Sequence, residues 1–183
     1  MSHHYTTLRI GGVYASDKPD AVIRTVLGSC IAACLFDPVS RVGGMNHFML
    51  PCADERDTED LTRFGAHAME VLIGAIQRLG GARPRLKAKL FGGGHVLNTA
   101  PSLRSVAARN IAFIEHYMHE EGIEVMSQDL GGYLARRVHF YPHSGKAMVK
   151  RLGEAALREL QLEETQVARL PTPLLDSEIT LFD

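Results

Sequence analysis

Two stretches of the chain place apolar residues at the spacing of an α-helix. The clearer stretch, Leu61–Leu79, carries an apolar residue every three or four positions and is followed by the helix-ending pair Gly80-Gly81. The second stretch begins at about Ser102 or Ser105 and runs to Glu121, again with its apolar residues on one face. The pattern therefore predicts two main helices.

Shorter segments alternate apolar and polar residues, or are apolar throughout, and are bounded by turn residues, as β-strands are. They are Val22–Thr25, Ile31–Phe36, Val42–Leu50, Leu86–Phe91, Ile123–Met126, Val138–Tyr141 and Ala147–Lys150. The last two are joined through His143-Ser144-Gly145, which predicts a hairpin. Because helices and strands do not alternate strictly, we expect an α+β fold, a sandwich of mixed, largely antiparallel sheet packed with two main helices.

The end of the chain differs from the rest. A short helix is predicted over Gly153–Leu160, and beyond it Pro171 and Pro173 interrupt any regular pattern. We therefore expect one domain over residues 1–160 and a peripheral tail over 161–183. We interpret the tail as a loosely packed end. The alternative is that Glu178–Phe182 forms a strand that adds to a sheet edge or to a partner.

Composition excludes several classes of protein. The 183 residues carry 20 basic and 21 acidic side chains, so no basic surplus favours binding to nucleic acid. No apolar run approaches the roughly 20 residues of a membrane span, and the first residues lack the apolar core of a secretory signal. The three cysteines, an odd number, argue against a disulfide scaffold. We expect a cytoplasmic globular protein that is not inserted in a membrane.

The hairpin formed by the second and third strands brings a cysteine close to a histidine. If its turn is centred on residues 38 and 39, Phe36 faces Arg41, and Cys30 then stands opposite His47 on the same face of the sheet. A thiol beside an imidazole is the minimum machinery for nucleophilic catalysis. A bulge at Gly43-Gly44 would shift this register and separate the pair.

The cysteines also have simpler interpretations. Cys34 lies within an apolar run and is interpreted as a buried core residue, and Cys52 has no neighbouring base. Zinc binding by Cys30, Cys34 and His47 is disfavoured because a fourth ligand is missing, so we predict no metal.

Glycine-containing turns occur at two informative places. Cys30 follows Gly28 and Ser29, where backbone N–H groups can point at a developing oxyanion. The FGGGH segment, Phe91–His95, lacks the lysine and hydroxyl residue that end a phosphate-binding loop. We expect it to have a role in backbone packing or turn formation, or to form a wall of a substrate groove.

Several short blocks of the sequence, in the same order, resemble the CheD family of bacterial chemotaxis. The blocks are LGSC (27–30), GGMNHFMLP (43–51), KAKLFGGG (87–94), ARN (108–110), DLGGYLARRV (129–138) and HSGKAMVKRL (143–152). Together they span about residues 22 to 152, most of the chain.

This resemblance implies an α/β sandwich and a cysteine hydrolase that converts selected chemoreceptor glutamines to glutamate without a cofactor. The family's nucleophile falls on Cys30, its general base on His47 and its third polar residue on Thr25. Ser29 and Asn46 are further candidates for orienting the imidazole.

The implied partners are the cytoplasmic helices of chemoreceptors and a CheC-type phosphatase, and cleavage of receptor glutamyl methyl esters is an associated reaction. Two other functions are considered. One is a binding module whose Cys–His pair is inactive, and the other is a cysteine hydrolase that acts on small amides or esters.

Overall fold

The computed structural model of the protein describes residues 2–51, 58–96, 105–153 and 158. Over these residues the chain forms nine strands, two α-helices and one 3₁₀ turn. In chain order they are β1 (His4–Thr7), β2 (Val13–Ser16), β3 (Ala21–Leu27), β4 (Ile31–Asp37), β5 (Val42–Asn46), α1 (Thr58–Arg78), the 3₁₀ turn (Arg83–Arg85), β6 (Lys87–Gly92), α2 (Val106–Glu120), β7 (Glu124–Leu130), β8 (Ala135–Tyr141) and β9 (Lys146–Leu152). Neither helix is long and apolar enough to cross a membrane.

The strands form two mixed sheets. Sheet A has the order β1-β3-β8-β9, and sheet B has the order β2-β5-β4-β6-β7. Each sheet contains one parallel pair, β1 with β3 and β6 with β7, and its other pairs are antiparallel. The expected α+β architecture, with largely antiparallel sheets and two main helices, is confirmed.

Strand β4 lies between two apolar layers. Ile31, Ala33 and Leu35 face α1 and α2, whereas the alternating positions Cys30, Ala32 and Cys34 face sheet A. This alternation follows from the two-residue period of a strand. All of these positions are buried, which explains why the sequence of β4 is apolar throughout.

Both helices lie close to where the apolar spacing predicts them. The prediction for the first, Leu61–Leu79, starts three residues after the observed α1. The side chain of Ser105 accepts a hydrogen bond from the N–H of Ala108 (3.2 Å) and caps α2, as Ser residues often do. The predicted strands are present, but β1 and β2 were not predicted. The predicted helix over 153–160, the tail and Cys52 lie outside the described residues, apart from Gly153 and the single helical residue 158.

The predicted pairing of β4 with β5 is confirmed, but the predicted register was wrong by two residues. Phe36 lies opposite Gly43 rather than Arg41, and Asp37 lies opposite Val42. The glycine pair in β5 introduces no bulge. Cys30 consequently does not stand directly opposite His47.

The loop between β4 and β5 explains the different register. It uses four residues rather than two, and Arg41 takes a positive φ of 55° while its N–H donates to the carbonyl of Asp37 (2.9 Å). A type I turn does not match the twist of a two-residue hairpin, so the longer loop is favoured. A shift by two residues keeps every side chain on its original face.

Candidate active site

His47 lies just beyond the end of β5, where two other segments hold its backbone. Its N–H donates to the carbonyl of Gly12 (3.0 Å), and its carbonyl accepts from the N–H of Gly11 (2.7 Å). The next residue, Phe48, exchanges two backbone hydrogen bonds with Ile31, both 2.9 Å long. The imidazole is buried, with 4% of the residue exposed.

Thr25 determines which nitrogen of His47 carries the proton. The Thr25 hydroxyl donates its single hydrogen to the carbonyl of Leu8 (2.8 Å), because a carbonyl can only accept. Its contact with Nδ1 of His47 (2.8 Å) must therefore be a hydrogen bond donated by the imidazole. The neutral ring then carries its proton on Nδ1 and a lone pair on Nε2.

The second ring nitrogen of His47 has no hydrogen-bond partner among the described residues. Nε2 of His47 is buried and makes no hydrogen bond to any residue that the structure describes. Burial lowers the pKa of His47 from 6.5 to about 4, although the carbonyl of Leu8 opposes this effect. The imidazole is therefore neutral at pH 7, with a lone pair available to accept a proton.

Cys30 lies on the same face of sheet B as the imidazole. Ile31 and Phe48 pair with each other and face the helices, so the residues preceding them face sheet A. Extending this register puts Cys30 beside Met49 and makes His47 its diagonal neighbour. Diagonal neighbours in an antiparallel pair have Cα atoms about 7–8 Å apart, and long or aromatic side chains span that distance.

The glycines at the end of β6 and directly after it hold the turn that contains Cys30. The N–H of Gly94 donates to the carbonyl of Gly28, and the N–H of Gly93 donates to the carbonyl of Cys30, both at 2.8 Å. Gly92 has a φ of 116°, and a Cβ atom at this position would overlap the carbonyl oxygen of Cys30. The FGGGH segment therefore packs against the cysteine turn through its backbone.

The two further candidates for orienting the imidazole have other contacts. Asn46 faces the helices, where its Oδ1 accepts from the N–H of Ala33 (3.0 Å) and its Nδ2 donates to the carbonyl of Ala68 (3.3 Å). The suggestion that it orients His47 was wrong, because adjacent residues of a strand point to opposite faces. The hydroxyl of Ser29 contacts Sδ of Met49 at 3.8 Å.

The other titratable groups nearby do not form a second site. Cys34 is buried, and burial raises the pKa of its thiol far above the ordinary value, which keeps it protonated. Among the described residues, no group of three or more His, Cys, Asp or Glu side chains is arranged to hold a metal ion.

Comparison with protein families matches residues 49–151, more than half of the chain, to the family described as CheD chemotactic sensory transduction. The chain belongs to the CheD family. The match begins just after Thr25, Cys30 and His47, so it does not itself include these three residues. Individual proteins of the CheD family align with longer parts of this chain than the family match covers.

Three relatives illustrate this similarity. The protein of Cereibacter sphaeroides is 47% identical over 78% of this chain and 70% of its own length. The protein of Bordetella petrii is 45% identical over 87% of this chain and 75% of its own length. The protein of Vibrio vulnificus is 40% identical over 98% of this chain and 87% of its own, so this alignment spans the candidate site. Each carries the name "probable chemoreceptor glutamine deamidase CheD".

One solved structure is more distantly similar. The match to hypothetical protein YfiH of Bacillus licheniformis covers 70% of this chain and 60% of the YfiH chain, at 14% identity and a TM-score of 0.44. At this distance the likeness supports no conclusion about the site.

Proposed function

We propose that this protein is a protein-glutamine deamidase that hydrolyses selected chemoreceptor glutamines to glutamate and ammonia. Membership of the CheD family and the names of its relatives support the activity. The observation that carries the proposal is the state of His47, whose Nδ1–H is held by Thr25 while Nε2 has no partner in the described structure. A buried neutral imidazole on the same face as a cysteine can act as that cysteine's base.

The reaction begins with the thiol of Cys30. Nε2 of His47 accepts the thiol proton as the sulfur attacks the side-chain carbonyl carbon of the glutamine. The protonated imidazole then gives that proton to the amide nitrogen, the C–N bond breaks and ammonia leaves. The remaining thioester is hydrolysed by water, which His47 deprotonates, and this step releases the glutamate side chain and restores the thiol.

Thr25 acts in this scheme as a positioning residue. Its hydroxyl links Nδ1 of His47 to the carbonyl of Leu8, which keeps the proton on Nδ1 through both steps. Thr25 carries no charge, so it does not stabilise the imidazolium as a carboxylate in the same position would. The proton therefore passes readily from His47 to the leaving nitrogen.

The turn before Cys30 is our candidate for stabilising the oxyanion. The carbonyls of Gly28 and Cys30 are held by Gly94 and Gly93, which fixes the orientation of the peptide units between them. The backbone N–H groups of Ser29 and Cys30 are the donors we propose. One such donor typically contributes about 3 kcal/mol to transition-state stabilisation.

Family membership and the names of the relatives support a chemoreceptor as the substrate. We propose that the substrate is a cytoplasmic helix of a chemoreceptor, that a CheC-type phosphatase is a second partner and that the protein works in the cytoplasm. Thiol chemistry on an amide requires no metal or organic cofactor.

Mass spectrometry of a receptor cytoplasmic fragment tests this proposal. Incubation with the wild-type protein should convert specific glutamines to glutamates, with release of an equal amount of ammonia. Cys30→Ala should show no conversion, whereas Cys34→Ala, which removes a thiol from the same face of β4, should remain active. Full conversion by Cys30→Ala would refute the mechanism. A wild-type protein that binds the fragment without converting it would refute the deamidase activity.

A further inference from the structure

Asn110 connects the two segments that carry the candidate nucleophile and base. It lies on α2 and is completely buried. Its Nδ2 donates to the carbonyl of Ser29 (2.9 Å), and its Oδ1 accepts from the N–H of Leu50 (2.9 Å). Ser29 immediately precedes Cys30, and Leu50 follows His47 by three residues. One side-chain amide therefore joins both segments at their backbones.

The bond to Ser29 controls the peptide unit of the nucleophile. The carbonyl of Ser29 and the N–H of Cys30 belong to the same planar trans peptide and point in opposite directions. Holding the carbonyl therefore also sets the direction of the N–H. That N–H is one of the two donors that we propose for the oxyanion, so its direction matters for the reaction.

Three consecutive carbonyls of this turn are held in the same way. Those of Gly28 and Cys30 accept from backbone N–H groups of Gly94 and Gly93, at 2.8 Å. The one between them, on Ser29, accepts from a side chain. A substitution at Asn110 can therefore release one peptide plane while its two neighbours remain held.

We infer that Asn110 is a positioning residue for the reaction, which orients the Ser29–Cys30 peptide and fixes its distance from the segment of His47. This inference rests on the proposed function. The amide suits the task because it offers a donor and an acceptor at once, and each meets a complementary backbone group. Since a displacement of about 1 Å in a reacting group costs about 100-fold in rate, loss of this connection should affect turnover.

If Asn110 had only a structural role, the variants would behave differently. If Asn110 only satisfied two buried backbone groups, its removal would lower the stability of the folded protein but leave each folded molecule equally active. Ile114 provides the matched control, because it lies one turn further along α2 and is also completely buried. Ile114→Ala should destabilise the same helix while leaving in place the hydrogen bonds that join Asn110 to Ser29 and Leu50.

The experiment compares Asn110→Ala, Ile114→Ala and wild type at a temperature where circular dichroism shows all three to be folded. Ammonia release from the receptor fragment gives kcat and KM, and alkylation by chloroacetamide gives the reactivity of Cys30 against pH. We expect Asn110→Ala to lose about 10- to 100-fold in kcat with KM changed by less than about twofold. Ile114→Ala should keep kcat within about twofold of wild type.

Asn110→Asp tests the two hydrogen bonds of Asn110 one at a time. It also replaces the alanine variant in the experiment if that variant does not fold. It keeps an oxygen for the N–H of Leu50 but replaces the donor to Ser29, so kcat should fall at least as far as in Asn110→Ala. Wild-type kcat in either variant at Asn110, or an equal loss in Ile114→Ala, would overturn the inference. If the wild type releases no ammonia, the proposed function fails. The inference about Asn110 is then tested by alkylation alone. It predicts that the Asn110 variants differ from Ile114→Ala in the reactivity of Cys30 against pH, and equal profiles would overturn it.

Discussion

The two ends of the β4–β5 pair bury polar groups in opposite ways. At the turn, the carboxylate of Asp37 accepts hydrogen bonds from the N–H groups of Val39, Ser40 and Ala82, the hydroxyl of Ser40 and the guanidinium of Arg85. At the other end, Nδ1 of His47 is hydrogen-bonded to Thr25, whereas Nε2 has no hydrogen-bond partner in the described structure. One group is fully satisfied and charged, and the other is half satisfied and neutral.

This difference separates a structural site from a chemical one. Burial alone would raise the pKa of Asp37, but its many donors outweigh that effect and hold the pKa well below the ordinary range. The carboxylate therefore joins the hairpin to the loop after α1 and has little capacity left for another partner. His47 keeps a lone pair free, which reduces stability but leaves a group that can take a proton.

Removal of either reacting group should have the largest effect. His47→Ala and Cys30→Ala should each lower the rate of ammonia release by about 1,000-fold or more, because the base and the nucleophile act as a unit. The double variant should be scarcely slower than either single one. A receptor pull-down should show nearly unchanged binding, since one side chain supplies little of the contact area. Independent, multiplying effects of the two substitutions would contradict a shared step.

The second prediction concerns stability between pH 6.5 and 4. Burial lowers the pKa of His47 to about 4 in the folded protein, whereas the unfolded chain takes up the same proton near pH 6.5. Lowering the pH through this window therefore favours unfolding, by about 3 kcal/mol in total. Urea unfolding at a series of pH values should show this loss in wild type but not in His47→Gln. Equal pH dependence of the two proteins would contradict a buried neutral imidazole.

The third prediction concerns the opposite end of the pair. Asp37→Asn replaces a charged acceptor by a neutral amide, and the N–H donors of Ala82 and Arg85 then meet an NH₂ group. The free energy of unfolding should fall by about 2 kcal/mol, as for a buried hydrogen bond to a charged group. Ammonia release per folded molecule should stay within about twofold of wild type. A large loss of turnover in the folded variant would show that the two ends are coupled.

The smallest expected change in free energy is at Thr25, the residue hydrogen-bonded to His47. Thr25→Val has nearly the same shape but cannot accept from Nδ1 of His47, so the imidazole should lose its fixed orientation. We expect about a tenfold loss of kcat, corresponding to about 1.4 kcal/mol. Thr25→Ser keeps the hydroxyl and should stay close to wild type. Equal activity of the valine and serine variants would show that Thr25 only shapes the strand.

Local patterns in the sequence predicted much of the fold. The spacing of apolar residues located both helices, and turn residues separated most of the strands. Strands β1 and β2 were missed because they are only four residues long and half exposed, so they have too little apolar alternation to recognise. The register between β4 and β5 was missed because it depends on the conformation of Arg41 in the loop, which side-chain alternation does not reveal.

By itself, the sequence determined that Cys30 and His47 would share a face, because alternation along a strand survives a shift of two residues. Apart from the resemblance to the CheD family, which pointed to Thr25, only the tertiary structure decided which groups meet that pair. Thr25 reaches His47 across the space between the two sheets, and Asn110 reaches Ser29 from a helix 81 positions further along the chain. Such contacts depend on how the layers pack, and no local pattern records the distance between residues that are brought together only by folding.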